Sequence, residues 1–277
     1  MIYICDMDQN TLSILMPAVL EVSRETGTFI RSQVGKVTAS DIEEKDRNSL
    51  VSYVDKHAET ILVERLHRLL PEAGFITEED TIVNTRAEYT WVIDPLDGTT
   101  NFLQQIPVFS VSVALAHEAV PILGCIVDVM QDQAFYAWQD GGAWLDGRPV
   151  RTSGKTHLSE AILATGFPYY SPENMGRLSD LFMRMVSASR GVRRLGSAAL
   201  DLAYTATGRF DAFYETFLNS WDIAAGVILV REAGGHITDF DGGGDFILKG
   251  QVLATNRHLH EQLLSILLSA SAGDIVG

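Results

Sequence analysis

The stretch WVIDPLDGTTNF, residues 91–102, constrains the fold of this chain more than any other. Its first three residues are apolar and typical of a buried strand, and Pro95 biases Asp94 toward an extended conformation before a tight turn. A second acid, Asp97, follows at once, and Gly98 permits close approach of the backbone. A simple turn explains an isolated Asp-Gly pair, but it does not explain why an apolar strand ends in two acids.

The residues after the second acid are suited to an anion. If a helix begins here, the amides of Thr99 and Thr100 point at a negatively charged group. The hard carboxylate oxygens of Asp94 and Asp97 beside such amides are typical of a site for Mg²⁺ and phosphate. We therefore favour a functional interpretation of this segment over a structural one.

Further acids occur in two other segments. In FITEED, residues 75–80, Glu78 and Glu79 taken alone indicate a solvated helix start, where acids interact well with the helix dipole. Asp222 precedes an apolar helix and is expected to be its N-cap. Because an N-cap can also coordinate a metal through its other oxygen, both interpretations of Asp222 stay open.

Composition limits the class of protein. The chain has 277 residues, 46% of them hydrophobic, enough for a sizeable core. Its net charge of -15 argues against nucleic-acid binding, which needs clustered Lys and Arg. The sequence has neither an apolar run of about 18 residues nor a basic N-terminal region like that of a secretory signal. We expect a soluble cytoplasmic protein without a membrane partner.

Several kinds of chemistry have no motif here. Cys5 and Cys125 are far apart, which argues against a disulfide framework or a structural zinc site. The seven histidines show no ligand spacing, and no P-loop or nucleophile elbow occurs. The acids are therefore the main candidates for chemistry.

The N-terminal half combines helices with antiparallel strands. Apolar spacing predicts helices over residues 12–33 and 52–70, with Pro17 in the opening turn of the first or kinking it. Residues 35–49 are charged and turn-rich, which predicts an exposed loop. Residues 109–138 alternate with a period of two, which predicts a run of antiparallel strands.

The C-terminal half alternates short strands with helices. We predict strands over residues 161–167 and 192–195, and helices over residues 174–189, from Ser197 onward, and over residues 222–233. Gly234 is expected to close the last of these helices. We place a division near residue 150, giving an N-terminal metal-binding half, 1–150, and a C-terminal half, 151–277, that completes the site.

Three motifs, in this order and separation, resemble the inositol monophosphatase family of metal-dependent phosphatases. They are FITEED, WVIDPLDGTTNF and SWDIAAGVILVREAGG, and similar stretches extend the resemblance over residues 36–256. The resemblance implies a layered α/β (α+β) fold of alternating helices and sheets, of the inositol monophosphatase and fructose-1,6-bisphosphatase type. It also implies a homodimer.

The resemblance assigns roles to individual residues. The implied ligands of two or three Mg²⁺ ions are Glu78, Asp94, the main-chain carbonyl of Leu96, Asp97 and Asp222. The implied catalytic residues are Glu78 and Thr99, which orient and deprotonate the attacking water, with Asp55 and Glu79 as supporting acids. The implied substrate-binding residues are Gly98, Thr99, Thr100, Ser197 and Glu215.

Some positions differ from the family pattern or match it loosely. Thr77 stands where the family usually has glycine, which bears on the geometry of Glu78. Asn219 and Ser220 replace the commoner residues before Trp-Asp, which affects the substrate rim. Lys45 is the nearest match to a lysine common in the family.

The reaction implied is Mg²⁺-dependent hydrolysis of an inositol monophosphate by an activated water, without a covalent intermediate. The alternative substrates are fructose 1,6-bisphosphate, 3′-phosphoadenosine 5′-phosphate, histidinol phosphate and NADP. A non-catalytic regulatory scaffold is the alternative from another class, since some bacterial members of the family act on the transcription machinery. Arg193 and Arg194 either line the substrate rim or form an exposed basic pair.

Overall fold

The computed structural model describes residues 7–46, 49–167 and 175–271. Within these ranges the helices are α1 (Gln9–Gln33), α2 (Tyr53–Leu69), α3 (Thr99–Leu103), α4 (Met175–Ala188), α5 (Ala198–Ala206), α6 (Ser220–Glu232), α7 (Phe246–Lys249) and α8 (His260–Ser271). The strands are β1 (Ile42–Asp46), β2 (Ser49–Ser52), β3 (Gly74–Thr77), β4 (Tyr89–Asp97), β5 (Ser110–His117), β6 (Val120–Asp128), β7 (Gln133–Trp138), β8 (Gly142–Leu145), β9 (Arg148–Val150), β10 (Ile162–Thr165), β11 (Gly191–Arg193), β12 (Ala212–Thr216), β13 (His236–Thr238) and β14 (Gln251–Thr255).

The larger sheet contains seven strands in the order β3-β4-β5-β6-β7-β8-β9. Strands β3 and β4 are parallel, and every later neighbour is antiparallel. The predicted antiparallel run over residues 109–138 is confirmed as β5, β6 and β7. The smaller sheet has the order β11-β10-β12-β14-β13, with parallel pairing of β10 to both of its neighbours.

Alternating side chains on each sheet bury two different faces. On β4, Trp91 and Ile93 pack against α1 and α2, whereas Val92 packs against α5 and α6. On β12, Phe213 faces α5 and α6, whereas Tyr214 faces α4 and α8. The order of layers is therefore α1 and α2, the larger sheet, α5 and α6, the smaller sheet, and α4 and α8. This confirms the predicted fold of alternating helical and sheet layers.

The N-terminal predictions hold for the helices but not for the segment between them. Helix α1 begins at Gln9, so Pro17 lies inside the helix beyond its opening turn, and of the two predicted alternatives the opening-turn position was wrong. The predicted loop over residues 35–49 contains a short 3₁₀ turn and then β1, which pairs with β2 as an antiparallel hairpin. Pairing with a neighbouring strand gives this charged segment a regular backbone that its composition did not indicate. The side chain of Lys45 lies outside the described part.

The C-terminal elements follow the predicted order. Helices α4, α5 and α6 and strands β10 and β11 occur within a few residues of their predicted bounds. Gly234 lies just beyond α6 with φ +81°, in the left-handed conformation expected of a residue that closes a helix. The chain leaves the larger sheet at Val150, but α5 and α6 return to pack on that sheet, so the two sheets share a core.

None of the helices in the described residues is long and apolar enough to span a bilayer.

Candidate active site

A cleft of about 220 Å³ opens where the ends of β4 and β12 meet the starts of α3, α5 and α6. Ten of the predicted site residues line it: Glu78, Asp94, Leu96, Asp97, Gly98, Thr99, Thr100, Ser197, Glu215 and Asp222. The structure thus brings together residues from both halves of the chain. Of the predicted catalytic and binding residues, Asp55 lies behind the cleft wall and not in it.

A β-bulge places both acids of β4 on the cleft side. Asp94 pairs with Ser112 of β5 and Asp97 pairs with Ser110, so three steps along β4 match two along β5. In a regular strand, residues three apart point to opposite faces. Because the bulge inserts one extra residue, the side chains of Asp94 and Asp97 point to the same face of the sheet. Leu96 points to the other face and packs in the core beside α1.

Asp94 lies at the centre of the acidic cluster and is 2% exposed. Burial raises the pKa of its carboxyl well above the usual range, and the neighbouring carboxylates of Glu78, Asp97 and Asp222 raise it further. The Asp94 and Glu78 carboxyls are close enough to share a hydrogen bond. Asp94 Oδ1 also accepts from the amide of Leu96 at 3.0 Å, which fixes the carboxyl at the turn.

Asp97 joins β4 to the start of α5. Its Oδ2 accepts hydrogen bonds from the Ser197 hydroxyl, from the Ala199 amide at 2.9 Å and from the Ser110 hydroxyl at 3.3 Å. Burial raises the pKa of Asp97, and these hydrogen bonds act in the opposite direction. Ser197, predicted to bind substrate, lines the cleft as the N-cap of α5 and contacts Asp97 directly.

Asp222 does not occupy the helix position expected of it. The N-cap of α6 is Asn219, and Asp222 is the third residue of the first turn, where its Oδ2 accepts from the Asn219 amide at 2.6 Å. The prediction of Asp222 as N-cap was wrong, because the helix starts earlier through a capping box. Burial raises the pKa of Asp222 to about 8, the Asn219 amide opposes that rise, and Asp97 and Glu215 add to it.

Gly98 starts α3 in a conformation that suits glycine. Its φ is +94°, and a Cβ there would lie 3.1 Å from the carbonyl oxygens of both Val108 and Gly196. The first-turn amides of α3, which include Thr99 and Thr100, have no carbonyl partner within the helix. They therefore border the cleft as donors for an anion.

Thr99 is held by an acid behind the cleft. Its Oγ1 lies 2.9 Å from Asp55 Oδ1 and 3.0 Å from the Leu96 carbonyl oxygen. Asp55 is fully buried and closes the capping box of α2 by accepting from the Ser52 amide and hydroxyl. Burial raises the pKa of Asp55, and the bonds from Ser52 and Thr99 oppose that rise.

The segment after β3 carries Glu78 in a bend, so the predicted helix start at Glu78 and Glu79 was wrong. Thr77, which replaces the usual glycine, is buried, and its hydroxyl donates to Glu59 Oε1 at 3.1 Å. Its amide donates to Asn84 Oδ1 at 2.8 Å. Thr77 is thus anchored on both sides and presents Glu78 toward the cleft. Glu79 is 8% exposed and does not line the cleft.

Glu215 borders the cleft at the end of β12. Its carboxylate lies over Gly166, where an added Cβ would come within 1.9 Å of Oε1. Burial raises the pKa of Glu215 to about 8, Arg194 opposes that rise, and Asp97 adds to it. Arg194 lines the cleft and Arg193 does not, so the rim interpretation holds for one residue of the basic pair.

Sequence reasoning missed several polar residues around the site. Asn101 donates through Nδ2 to the carbonyls of Val108 and Leu195 at 2.7 and 2.9 Å, which ties α3 to the loop before α5. Glu59 accepts four hydrogen bonds from residues 77–81. Asn101 follows the Asp-Gly-Thr-Thr motif directly, and Glu59 lies one helical turn after Asp55. Proximity to the motif was the only sequence signal for either residue.

The donor chemistry of the cleft fits hard divalent cations. Its described lining residues include five acids, Glu78, Asp94, Asp97, Glu215 and Asp222, and one base, Arg194. Carboxylate and carbonyl oxygens are the ligands that Mg²⁺ prefers. Among the residues that the structure describes, no group of three or more His, Cys, Asp or Glu side chains is spaced to hold an ion as it stands.

Comparison with known proteins shows which family the chain resembles. The sequence profile described as the inositol monophosphatase family matches residues 12–272. An inositol-1-monophosphatase of Mesorhizobium japonicum is 38% identical over 91% of this chain and 95% of its own length. A Nus factor SuhB of Pseudomonas aeruginosa is 37% identical over 91% and 95%.

Solved structures agree in fold. The extragenic suppressor protein suhB of Bartonella henselae superposes with a TM-score of 0.86 at 35% identity, covering 92% of this chain and 98% of that one. An IMPase of Thermotoga maritima gives a TM-score of 0.85 at 29% identity, covering 92% and 97%. The profile match and the identity to full-length relatives together show that this chain belongs to the inositol monophosphatase family.

Proposed function

We propose that the protein is a metal-dependent phosphatase that hydrolyses a small phosphate monoester, with an inositol monophosphate as the preferred substrate. One observation carries the proposal. The bulge in β4 directs Asp94 and Asp97 into a cleft with Glu78 and Asp222, beside the first-turn amides of α3. A set of carboxylates beside a group of free amides is suited to cations and phosphate together.

The residues that would hold Mg²⁺ are Glu78, Asp94, Asp97, Asp222 and the carbonyl of Leu96. Bound cations would neutralise the phosphate ester, activate water and stabilise the leaving oxygen. Their charge is also needed for binding, because the described lining of the cleft contains five acids and one arginine, which would otherwise repel a phosphate dianion. We propose two or three ions on the strength of the family resemblance.

Thr99 would orient the attacking water, and Glu78 would accept its proton. The hydroxyl of Thr99 carries one proton, and both of its neighbours within 3.0 Å, Asp55 Oδ1 and the Leu96 carbonyl, are acceptors. Once that proton is directed to either neighbour, the lone pairs on Thr99 Oγ1 can accept a hydrogen bond from water. Glu78 is the nearby carboxylate of the cleft that can then receive a proton from this water.

The start of α3 would hold the phosphate. Amides of Gly98, Thr99 and Thr100 lie at the positive end of this helix and can donate to phosphate oxygens. Gly98 takes the φ of +94° that starts this helix, where a Cβ would crowd the carbonyls of Val108 and Gly196. Glu215, across the cleft, would accept hydrogen bonds from the hydroxyls of the substrate.

The size of the cleft favours a compact substrate. Its volume of about 220 Å³ lies below the range of roughly 300–1,000 Å³ typical of pockets for drug-sized ligands. This favours an inositol or sugar monophosphate over NADP. Relatives named inositol-1-monophosphatase at 37 to 39% identity support the same choice.

The test is phosphate release from inositol 1-phosphate, fructose 1,6-bisphosphate, 3′-phosphoadenosine 5′-phosphate, histidinol phosphate and NADP, with Mg²⁺ and with EDTA. We expect Mg²⁺-dependent release that is fastest with inositol 1-phosphate. Asp94→Asn serves as the inactive control, and Asp128→Asn, a buried acid that does not line the cleft, as the active one. Release from none of the esters would refute the proposal.

A regulatory function is the second candidate, because relatives named Nus factor SuhB match as well as the named phosphatases do. In that case Mg²⁺ would still bind, but no ester would be turned over. A cytoplasmic location and a homodimer complete the proposal, and sedimentation of the purified chain tests the dimer.

A further inference from the structure

Glu59 is a fully buried carboxylate that the proposed reaction does not use. It lies on α2, is 0% exposed and accepts four hydrogen bonds. Its Oε1 accepts from the Thr77 hydroxyl at 3.1 Å, the Thr81 amide at 2.8 Å and the Thr81 hydroxyl at 2.7 Å. Its Oε2 accepts from the Glu79 amide at 2.8 Å.

All four donors belong to residues 77–81, which carry Glu78 into the cleft. Thr77 is the last residue of β3, and residues 78–81 after it form no helix or strand. Asp80 within it has φ +50°, which is unfavourable for a residue other than glycine. Glu59 therefore supplies acceptors on both sides of Glu78, for the Thr77 hydroxyl before it and for the amides of Glu79 and Thr81 after it.

Helix α2 presents Glu59 and Asp55 on one face. The two residues are four apart, which places them one above the other along the helix. Asp55 accepts from the hydroxyl of Thr99 at 2.9 Å, and Glu59 holds the backbone around Glu78. One rigid helical face thus orients both groups proposed to act on the water.

We propose that Glu59 is a positioning residue, which orients the Glu78 carboxylate for cation binding by fixing residues 77–81. This inference rests on the proposed function, since it assigns Glu78 to the metal. Partners that orient metal ligands typically change metal affinity or activity by about 10-fold to 100-fold when they are mutated. The effect of Glu59 should therefore appear first in the affinity for Mg²⁺.

The test is Glu59→Gln, studied by calorimetric titration of the full chain with Mg²⁺ alone. The amide keeps the size of the side chain, but its NH₂ group must face a donor of the 77–81 segment in place of one oxygen. We expect at least about 10-fold weaker Mg²⁺ binding. We also expect a lower kcat that rises again at high Mg²⁺, with little change in the KM for the ester. Unchanged Mg²⁺ affinity would overturn the proposal.

Asp239→Asn is the matched control. Asp239 is also buried and holds a loop, accepting from the amides of Asp241 and Gly243 at 3.0 and 2.7 Å and from Lys249 at 2.7 Å. None of these residues lines the cleft. We expect its Mg²⁺ affinity to stay within about twofold of the wild type. Equal weakening in both variants would overturn the proposal, because any buried acid would then have the same effect.

Thr81→Val decides the matter if Glu59→Gln does not fold. Thr81 is exposed, so the variant should fold, and it removes one donor to Glu59 while keeping the backbone bond. We expect Mg²⁺ binding to weaken severalfold, and unchanged binding would overturn the proposal.

The wild type separates this inference from the proposed function. Mg²⁺ binding that depends on Glu59 without ester turnover would refute the phosphatase and leave the positioning role intact. No Mg²⁺ binding by the wild type would refute both.

Discussion

Asp94→Asn should stabilise the cation-free protein while it abolishes activity. Asp94 is buried among the carboxylates of Glu78, Asp97 and Asp222, and burial with these neighbours raises its pKa well above the usual range. Asparagine keeps Oδ1 for the amide of Leu96 and can donate to Glu78 through Nδ2. The substitution removes a repelled charge without removing the hydrogen bond at the turn.

The size of the stability gain is limited by the cost of protonating Asp94 in the folded wild type. Two charges 4 Å apart repel by about 4 kcal/mol at an effective dielectric constant of 20. The folded wild type can avoid this repulsion by keeping a proton on Asp94. At pH 7 that proton costs at most about 4 kcal/mol, or about 1.4 kcal/mol for each of roughly three pH units above the unfolded pKa. We expect the free energy of unfolding of Asp94→Asn to exceed that of the wild type by about 1 to 4 kcal/mol. Each kcal/mol corresponds to about 2–4 °C in Tm.

The sign of the pH dependence follows from the raised pKa. Between the unfolded pKa of about 3.9 and the higher folded pKa, the folded state binds more protons than the unfolded state. Wild-type stability in EDTA should therefore fall as the pH rises through this window. The advantage of Asp94→Asn should be close to zero at pH 4 and grow toward pH 7.

The assay is urea unfolding followed by tryptophan fluorescence, in EDTA and in Mg²⁺, from pH 4 to 8. Mg²⁺ at 100 times its Kd should add about 2.7 kcal/mol to the wild type and much less to the variant. Asp128→Asn is the control, because Asp128 is buried and accepts from Met130, Gln131 and Tyr204. The free energy of unfolding of Asp128→Asn should be about 1 kcal/mol lower than that of the wild type. A loss of stability in Asp94→Asn in EDTA at pH 7 would refute the reasoning.

Three further substitutions test the site. Thr99→Ala should lower kcat by about 10²-fold to 10⁴-fold with little change in Mg²⁺ affinity in steady-state assays, and equal losses of both would make Thr99 structural. Ser197→Ala removes a donor to the buried Asp97 carboxylate and should lower the free energy of unfolding by about 1.5 to 3 kcal/mol in urea; an unchanged value would contradict this bond. Gly98→Ala forces a side chain onto φ +94° and toward the Gly196 carbonyl, so thermal unfolding should show a loss of at least about 1 kcal/mol, and a wild-type Tm would exclude that strain.

Local chemistry made the motif segments predictable. The apolar run, Pro95 and Gly98 specify a strand that ends in a turn, and periodicity located α1, α2, α4 and α6 to within a few residues. The family resemblance named acids that the structure brings to one cleft. Such features depend on residues close together in the chain, so a single sequence contains them.

The failures involve contacts that composition and periodicity do not specify. Within the charged residues 35–49, β1 forms because it pairs with β2, and Asp222 lies in the first turn of α6 because Asn219 is the N-cap and forms a capping box with it. Neither outcome follows from composition, since each depends on which neighbouring group satisfies the backbone. The role of Glu59 was missed for the same reason, because its donors lie 18 to 22 residues away.

The sequence by itself determined that an apolar strand delivers two acids to a glycine turn and that the chain has the composition for a layered core. Only the tertiary structure decided that both acids face one cleft, because the bulge in β4 is set by pairing with β5. It also decided which groups hold the residues of the site: the Thr99 hydroxyl donates to Asp55, 44 residues away, and the Ala199 amide donates to Asp97, 102 residues away. Buried carboxylates need donors, and packing of the layers brings those donors from remote parts of the chain.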